Sequence, residues 1–126
     1  MTKFLIDSDV IIWHLRGRRE IAELLKNLQR AGVPVCSSLS IVEVQQGVKP
    51  GEEKKTDAFL DSLTVYPVDR KIATEAGRCI RGYKKRGIVS EIPDAVITAT
   101  CLIHNLILLT YNQDHYPMPE LKLYPL

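Results

Sequence analysis

Short apolar runs alternate along the chain with longer segments in which apolar residues recur every three or four positions. The short runs predict strands at 3–6, 33–36, 64–66, 106–110 and 121–124. The longer segments predict helices, because this spacing places apolar side chains on one helical face. Helices are expected from Val10 onward, over Ile21–Leu28 with a stop at Gly32, after the second strand, over Ile72–Tyr83, and over Asp94–Asn105 behind Pro93.

Strands that alternate with helices are typical of an α/β fold on a mainly parallel sheet. Right-handed crossovers are expected to place helices on both faces of that sheet, which gives three layers. The 126 residues suit one domain, 1–126, and the nearest approach to a break is a turn predicted at Lys49-Pro50-Gly51. In such folds, ligands bind beyond the carboxyl ends of the strands. Residues that follow a strand are therefore the first candidates for chemistry.

The composition is that of an ordinary soluble protein, with 45% apolar and 25% charged residues. No apolar run approaches the ~18 residues of a membrane span, and Asp7 interrupts any signal-peptide core. Three cysteines, Cys36, Cys79 and Cys101, show neither C-x-x-C spacing nor a histidine at metal-binding distance along the chain. We expect a cytoplasmic protein without membrane contact, in which the three thiols are free and buried.

Seventeen basic and fifteen acidic residues give a net charge of +2, and the basic ones are clustered. One cluster comprises Arg16, Arg18 and Arg19, and the other lies between Arg78 and Arg86 and includes Arg81 and Lys85. Such clusters favour a polyanionic partner. Charge alone does not separate that interpretation from lysines and arginines that only solvate helix faces.

Five carboxylates follow or flank the predicted strands, namely Asp7, Asp9, Glu43, Asp94 and Asp114. Each has a structural explanation: Asp9 could cap a helix, Ser40 and Glu43 match a capping box, and Asp94 suits a helix dipole. Together they predict a crevice at one edge of the sheet, where repulsion among carboxylates requires a neutralising partner. Mg²⁺ binds carboxylates while it keeps waters for a phosphate substrate.

Four segments carry a resemblance to a known family. They are LIDSDVII at 5–12, SIVEVQQG at 40–47, IPDAVITAT at 92–100, and LLTYN at 108–112 followed by HYP at 115–117. In this order they resemble the motifs of PIN domains, and the compact length is most similar to the VapC toxins. The resemblance implies a PIN-like α/β domain and an endoribonuclease that uses one or two Mg²⁺ or Mn²⁺ ions.

By the same resemblance, Asp7, Glu43 and Asp94 are expected to be catalytic and to hold the metal. Asp114 is expected as the fourth acid, although Asn112 stands where the family also places it. Asp9 replaces the usual Asn or Ser, and could be either a ligand or a cap. Ser8 and Thr110 match positions that orient a ligand or a metal-bound water.

The resemblance also implies partners. RNA is the expected substrate, and Arg16, Arg18, Arg19, Arg81 and Lys85 are candidates to hold its backbone. A small VapB-like antitoxin is expected to block the site with a peptide arm, and a homodimer is expected. Tyr111 and Tyr116 are interpreted as core or rim packing rather than as base-stacking platforms, and His14, His104 and His115 as structural or exposed residues.

Two other interpretations compete with the nuclease. Asp7-Ser8-Asp9 after a first strand also has the D-x-D form of haloacid-dehalogenase phosphatases, with Asp7 as nucleophile and Asp9 as acid/base. That interpretation leaves Glu43 without a role. A non-catalytic module that binds RNA or protein on the same fold is the second alternative. An aspartyl-phosphate receiver is disfavoured, because Tyr66-Pro67 stands where its acceptor should end the third strand.

Overall fold

The computed structural model describes residues 1–126 as four strands, six α-helices and one short 3-10 helix. The strands are β1 (Lys3–Ile6), β2 (Val33–Ser37), β3 (Thr64–Tyr66) and β4 (Ile107–Leu109). The helices are α1 (Ser8–Leu15), α2 (Arg19–Ala31), α3 (Ser38–Gln45), α4 (Glu53–Asp61), α5 (Arg70–Lys85) and α6 (Ile92–His104), and the 3-10 helix is Gln113–His115.

The four strands form one parallel sheet in the order β3-β2-β1-β4. Successive residues of β1 point to opposite faces, so that Phe4 and Ile6 pack with α1 and α2, whereas Leu5 packs with α5 and α6. Helices therefore cover both faces of the sheet, which confirms the predicted α/β class and its layers. The hydrophobic core lies on either side of the sheet.

The predicted fifth strand, 121–124, is wrong. Only Leu123 bridges to Leu108, and two hydrogen bonds flank that bridge, from Leu108 N–H to Lys122 and from Tyr124 N–H to Leu108. Pro125 follows directly and has no N–H to extend the ladder. The segment therefore lies alongside β4 without becoming a strand.

Helix α4 was not predicted, although its signal is present in the sequence. Thr56, Phe59, Leu60 and Leu63 recur at i, i+3, i+4 and i+7, and Thr56 and Leu60 are buried. Because the stripe begins with a threonine, a search for apolar residues alone overlooks it. The turn predicted before this helix is confirmed, with the Glu52 N–H bonded to the Lys49 carbonyl at 3.0 Å.

Local sequence accounts for several boundaries. Gly32 ends α2 as predicted, and a Cβ there would collide with the carbonyl oxygen of Thr2. Pro93 lies in the first turn of α6, where its missing N–H costs nothing.

All three cysteines are free and buried, as predicted, and burial raises the pKa of Cys36 to about 11. None of the helices combines the length and apolar character that a membrane crossing requires.

Candidate active site

The carboxyl ends of β1 and β4 form a crevice where the order of the sheet reverses. Asp7 follows β1, and its N–H donates to the Leu109 carbonyl oxygen at 3.0 Å, while Thr110 follows β4. Helix α1 leaves β1 on one face of the sheet, and α6 precedes β4 on the other. The connections therefore diverge at this edge and leave space for a ligand.

Asp7 lies at the bottom of the crevice and is only 6% exposed. One carboxylate oxygen accepts from the Ser8 N–H at 2.9 Å, and the other accepts from the Thr110 hydroxyl at 3.0 Å and the Tyr116 hydroxyl at 3.1 Å. Burial raises the pKa of Asp7 from 3.8 to about 6, and the charge of Asp9 adds to the increase. The three hydrogen bonds oppose this shift without cancelling it.

Asp9 has both carboxylate oxygens bound to main-chain donors. One accepts from the Val10 N–H at 2.8 Å, and the other from the Tyr111 N–H at 2.8 Å and, more weakly, from the Thr110 hydroxyl at 3.5 Å. Asp9 thus ties the first turn of α1 to the loop after β4. Of the two roles left open by the sequence, this geometry favours the structural one.

Asp94 and Glu43 bring further carboxylates to the same crevice. Asp94 lies in the first turn of α6, with one oxygen 3.3 Å from the Tyr116 hydroxyl and the other 3.4 Å from Nδ1 of His115. Glu43 lies on α3, where burial raises its pKa and the charges of Asp94 and Asp9 raise it further, against a hydrogen bond from the Ser8 side chain. The acids predicted from separate segments therefore interact electrostatically with one another.

Asp114 lies on the 3-10 helix and is exposed. Together with Asp94 and His115 it lines an open pocket of about 480 Å³ beside the crevice. Asn112 is also exposed, and its main-chain N–H donates to the Thr110 hydroxyl at 3.0 Å. Of the two candidates for the fourth acidic position, Asp114 is thus the one that shares a pocket with Asp94.

The predicted basic residues lie outside the carboxylate crevice. Arg18 and Arg16 lie over the Trp13 ring, with guanidinium carbons 3.8 Å and 5.4 Å from its centroid, and Arg19 begins α2. Arg81 and Lys85 are exposed on α5. The turn that follows α5 contains Gly87, which lines the pocket shared by Asp94 and Asp114. The basic C-terminal end of α5 therefore lies near that pocket.

Tyr116 and His115 are contacts of the site that the sequence did not identify. Tyr116 is 3% exposed, so it cannot stack on a base, and its hydroxyl lies between two of the candidate carboxylates. His115 is exposed, in agreement with the sequence analysis, and its Nδ1 also contacts Asp94. His104 stacks on Tyr66, and His14 packs on Phe59. The signal in the sequence was that both belong to the HYP segment at 115–117 of the fourth motif.

Comparison with known proteins identifies the fold. The family model of the PIN domain matches residues 4–121. The chain belongs to the PIN domain family. This match spans all four motifs and confirms the resemblance found in the sequence.

Several relatives match over nearly their whole length. Ribonuclease VapC10 of Mycobacterium tuberculosis is 34% identical over 116 residues, covering 92% of this chain and 87% of that protein. Ribonuclease VapC19 of the same organism is 35% identical over 122 residues, covering 94% and 96%. Within the PIN family the chain is therefore of the VapC type.

Solved structures show the same fold. VapBC2 from Rickettsia felis, bound to a DNA fragment from its promoter, matches with a TM-score of 0.86 at 20% identity and 98% coverage of both chains. A toxin–antitoxin complex from Klebsiella pneumoniae matches with a TM-score of 0.78 at 28% identity, covering 97% of this chain and 98% of that one.

The PIN-domain arrangement disfavours the phosphatase interpretation. That chemistry needs Asp9 as a free acid/base beside Asp7, yet both oxygens of Asp9 are bound to main-chain N–H groups. The phosphatase interpretation also gives Glu43 no role, although Glu43 is near enough to Asp94 and Asp9 for their negative charges to add to the increase in its pKa that burial causes. The arrangement thus favours a shared role for several carboxylates.

PIN-domain ribonucleases generally use divalent metal ions, and the side chains that meet in this crevice have the donor chemistry of such a site. The candidate ligands are carboxylate oxygens, the donors that Mg²⁺ and Mn²⁺ prefer. Burial is the main cause that raises the pKa of Asp7 and of Glu43, and neighbouring negative charges add to it, so a bound cation would oppose both shifts. No group of three or more His, Cys, Asp or Glu side chains is arranged around one point in this structure. Their oxygens instead bind the hydroxyl and main-chain groups described above.

Proposed function

We propose that this chain is a metal-dependent endoribonuclease and the toxin of a VapBC-type pair. The observation that carries the proposal is that Asp7 and Asp94, from distant segments, meet at the Tyr116 hydroxyl at the carboxyl edge of the sheet, with Asp7 buried at the bottom of the crevice. Relatives named ribonucleases cover more than nine-tenths of the chain and support the same activity. The reaction is hydrolysis of an RNA phosphodiester by water.

Asp7, Glu43 and Asp94 are the residues that would hold one or two Mg²⁺ or Mn²⁺ ions, with Asp114 as a fourth acid at the exposed rim. Such an ion, when bound, lowers the pKa of a coordinated water and offsets charge on the phosphate. Ser8 and Thr110 orient the carboxylates of Glu43 and Asp7 through their hydroxyl groups.

The experiment that tests this function compares the wild type with Asp7→Asn on a pool of structured and unstructured RNAs. Each protein is incubated with Mg²⁺, with Mn²⁺, or with EDTA, and the cleaved ends are mapped by sequencing. We expect the wild type alone to cut, only with metal, because Asp7 is a candidate ligand at the centre of the crevice. A folded wild type that neither cuts RNA nor binds Mn²⁺ would instead favour the non-catalytic binding module.

RNA binding provides a separate prediction. Reversing Arg81 and Lys85 to glutamate should weaken RNA binding about tenfold and flatten its salt dependence, because phosphate contacts release counterions. Binding is measured by fluorescence anisotropy in a salt series. The control reverses Lys26 and Arg30, which have the same i, i+4 spacing and exposure on α2, on the opposite face of the sheet. If the two double variants show the same dependence of RNA affinity on salt concentration, the RNA-binding surface does not include α5.

A VapB-like antitoxin is the proposed protein partner. Neighbours in fold include VapBC from Salmonella typhimurium bound to DNA and VapBC-1 from nontypeable Haemophilus influenzae. We place a peptide arm of the antitoxin in the crevice, where it would compete with RNA for the carboxylates, and we propose that the toxin forms a homodimer. Addition of the cognate antitoxin should therefore abolish cleavage at a one-to-one ratio.

A further inference from the structure

The Tyr116 hydroxyl contacts two of the proposed metal-binding carboxylates at once. It lies 3.1 Å from Oδ2 of Asp7 and 3.3 Å from Oδ1 of Asp94. These two acids come from distant parts of the chain, one after β1 and the other in the first turn of α6. The nearest carboxylate oxygens of the two acids are therefore separated by one hydroxyl oxygen atom that lies within hydrogen-bond distance of each.

The position of this hydroxyl is fixed by packing. The Tyr116 ring is 3% exposed and belongs to the core cluster that contains Leu5, Ile97 and Met118. Interior side chains packed to this degree occupy one rotamer, so the hydroxyl cannot swing out of the crevice. A ring needed only for packing would serve equally well as phenylalanine, which has the same apolar surface without the polar atom.

Two carboxylates that face one cation repel each other until the cation arrives. Without a group between them, the side chains would turn apart, and metal binding would have to bring them back. A hydroxyl held rigidly between them lies within hydrogen-bond distance of both and donates its one proton to either carboxylate, which offsets part of their repulsion and keeps their spacing short. Such a partner behind the ligands typically contributes about ten- to a hundredfold in metal affinity.

We infer that Tyr116 is a positioning residue that sets the spacing of Asp7 and Asp94 for a divalent cation. The inference rests on the proposed function in one respect, that these two carboxylates bind the metal. It assigns to Tyr116 a role distinct from that of Thr110, which contacts Asp7 and Asp9 but not Asp94.

The test measures Mn²⁺ binding to the RNA-free protein by electron paramagnetic resonance, with cleavage as a second readout. The variant is Tyr116→Phe, and the matched control is Tyr83→Phe. Tyr83 is also buried, and its hydroxyl lies 3.4 Å from a carboxylate, that of Glu120, outside the crevice. We expect Tyr116→Phe to raise the Mn²⁺ dissociation constant about tenfold or more, and Tyr83→Phe to leave it unchanged. Cleavage by Tyr116→Phe should recover toward the wild-type rate at saturating Mn²⁺.

Each outcome bears on the inference. Equal Mn²⁺ affinity in wild type and Tyr116→Phe would overturn it, and so would equal losses in both tyrosine variants. A Tyr116→Phe protein that fails to fold, judged by its thermal unfolding, would assign the hydroxyl to stability and overturn it too. A wild type that binds Mn²⁺ better than Tyr116→Phe yet cuts no RNA would support the inference and defeat the proposed ribonuclease function.

Discussion

Replacing Asp94 with asparagine is expected to slow RNA cleavage about a thousandfold or more while the protein stays folded. A metal ion stabilises the charge that develops on the phosphate by several kcal/mol, and each ~1.4 kcal/mol is a factor of ten in rate. Asparagine keeps the size of the side chain and an oxygen that can accept from the Tyr116 hydroxyl. The structural loss is confined to the exposed pair with His115 and part of the helix-dipole interaction, each worth about 1 kcal/mol or less.

The control for this prediction is Glu91→Gln. Glu91 precedes Asp94 by three residues, lines the same pocket, and makes no side-chain hydrogen bond at the start of α6. The two variants remove the same charge at nearly the same place, so a general change in electrostatic potential affects both. Single-turnover cleavage and thermal unfolding are measured for each. Cleavage by Asp94→Asn at the rate of Glu91→Gln would remove Asp94 from the metal site.

The acids of the site were predictable because their placement is local in the sequence. Asp7 follows a clear apolar run, and Asp94 follows a proline that opens a helix, so the sheet edge and the helix start are both visible in a few residues. Once the order of strands and helices is known, parallel topology brings these ends together. The sequence thus predicts that Asp7 and Asp94 lie near each other, without predicting their hydrogen bonds.

The roles of Asp9 and Tyr116 were not predictable because they depend on contacts between distant residues. Asp9 accepts from the N–H of Tyr111, 102 positions later, and Tyr116 reaches back 109 positions to Asp7. A capping aspartate and a metal-binding aspartate look alike from neighbouring residues alone. For Tyr116, the sequence indicated packing in the core or at its rim, but not that the hydroxyl reaches two carboxylates, because the short 3-10 helix before it leaves no periodic pattern.

Asp7→Asn is expected to stabilise the metal-free protein at pH 7.5 by roughly 2–3 kcal/mol. Burial, followed by the charge of Asp9, raises the pKa of Asp7 to about 6 from 3.8. A carboxyl whose pKa is higher in the folded state contributes stability below its unfolded pKa, and this contribution is lost as pH rises through its folded pKa. As the pH rises from about 4 to about 6, the wild type should therefore lose stability because Asp7 ionises. Asp7→Asn has no carboxyl at this position and should not show this loss. At pH 4 the two proteins should unfold at similar temperatures.

Thermal unfolding in EDTA over a pH series measures this difference, with Asp114→Asn as the control. Asp114 is an exposed carboxylate beside the same crevice, so its replacement changes net charge equally without relieving a buried charge. An Asp7→Asn protein no more stable than Asp114→Asn at pH 7.5 would contradict the buried-charge argument. Excess Mn²⁺ should then raise the unfolding temperature of the wild type but not that of Asp7→Asn, because a ligand stabilises only the state that binds it. If Mn²⁺ narrows the difference in unfolding temperature between Asp7→Asn and the wild type, the buried charge of Asp7 destabilises the metal-free fold and is retained because it binds the cation.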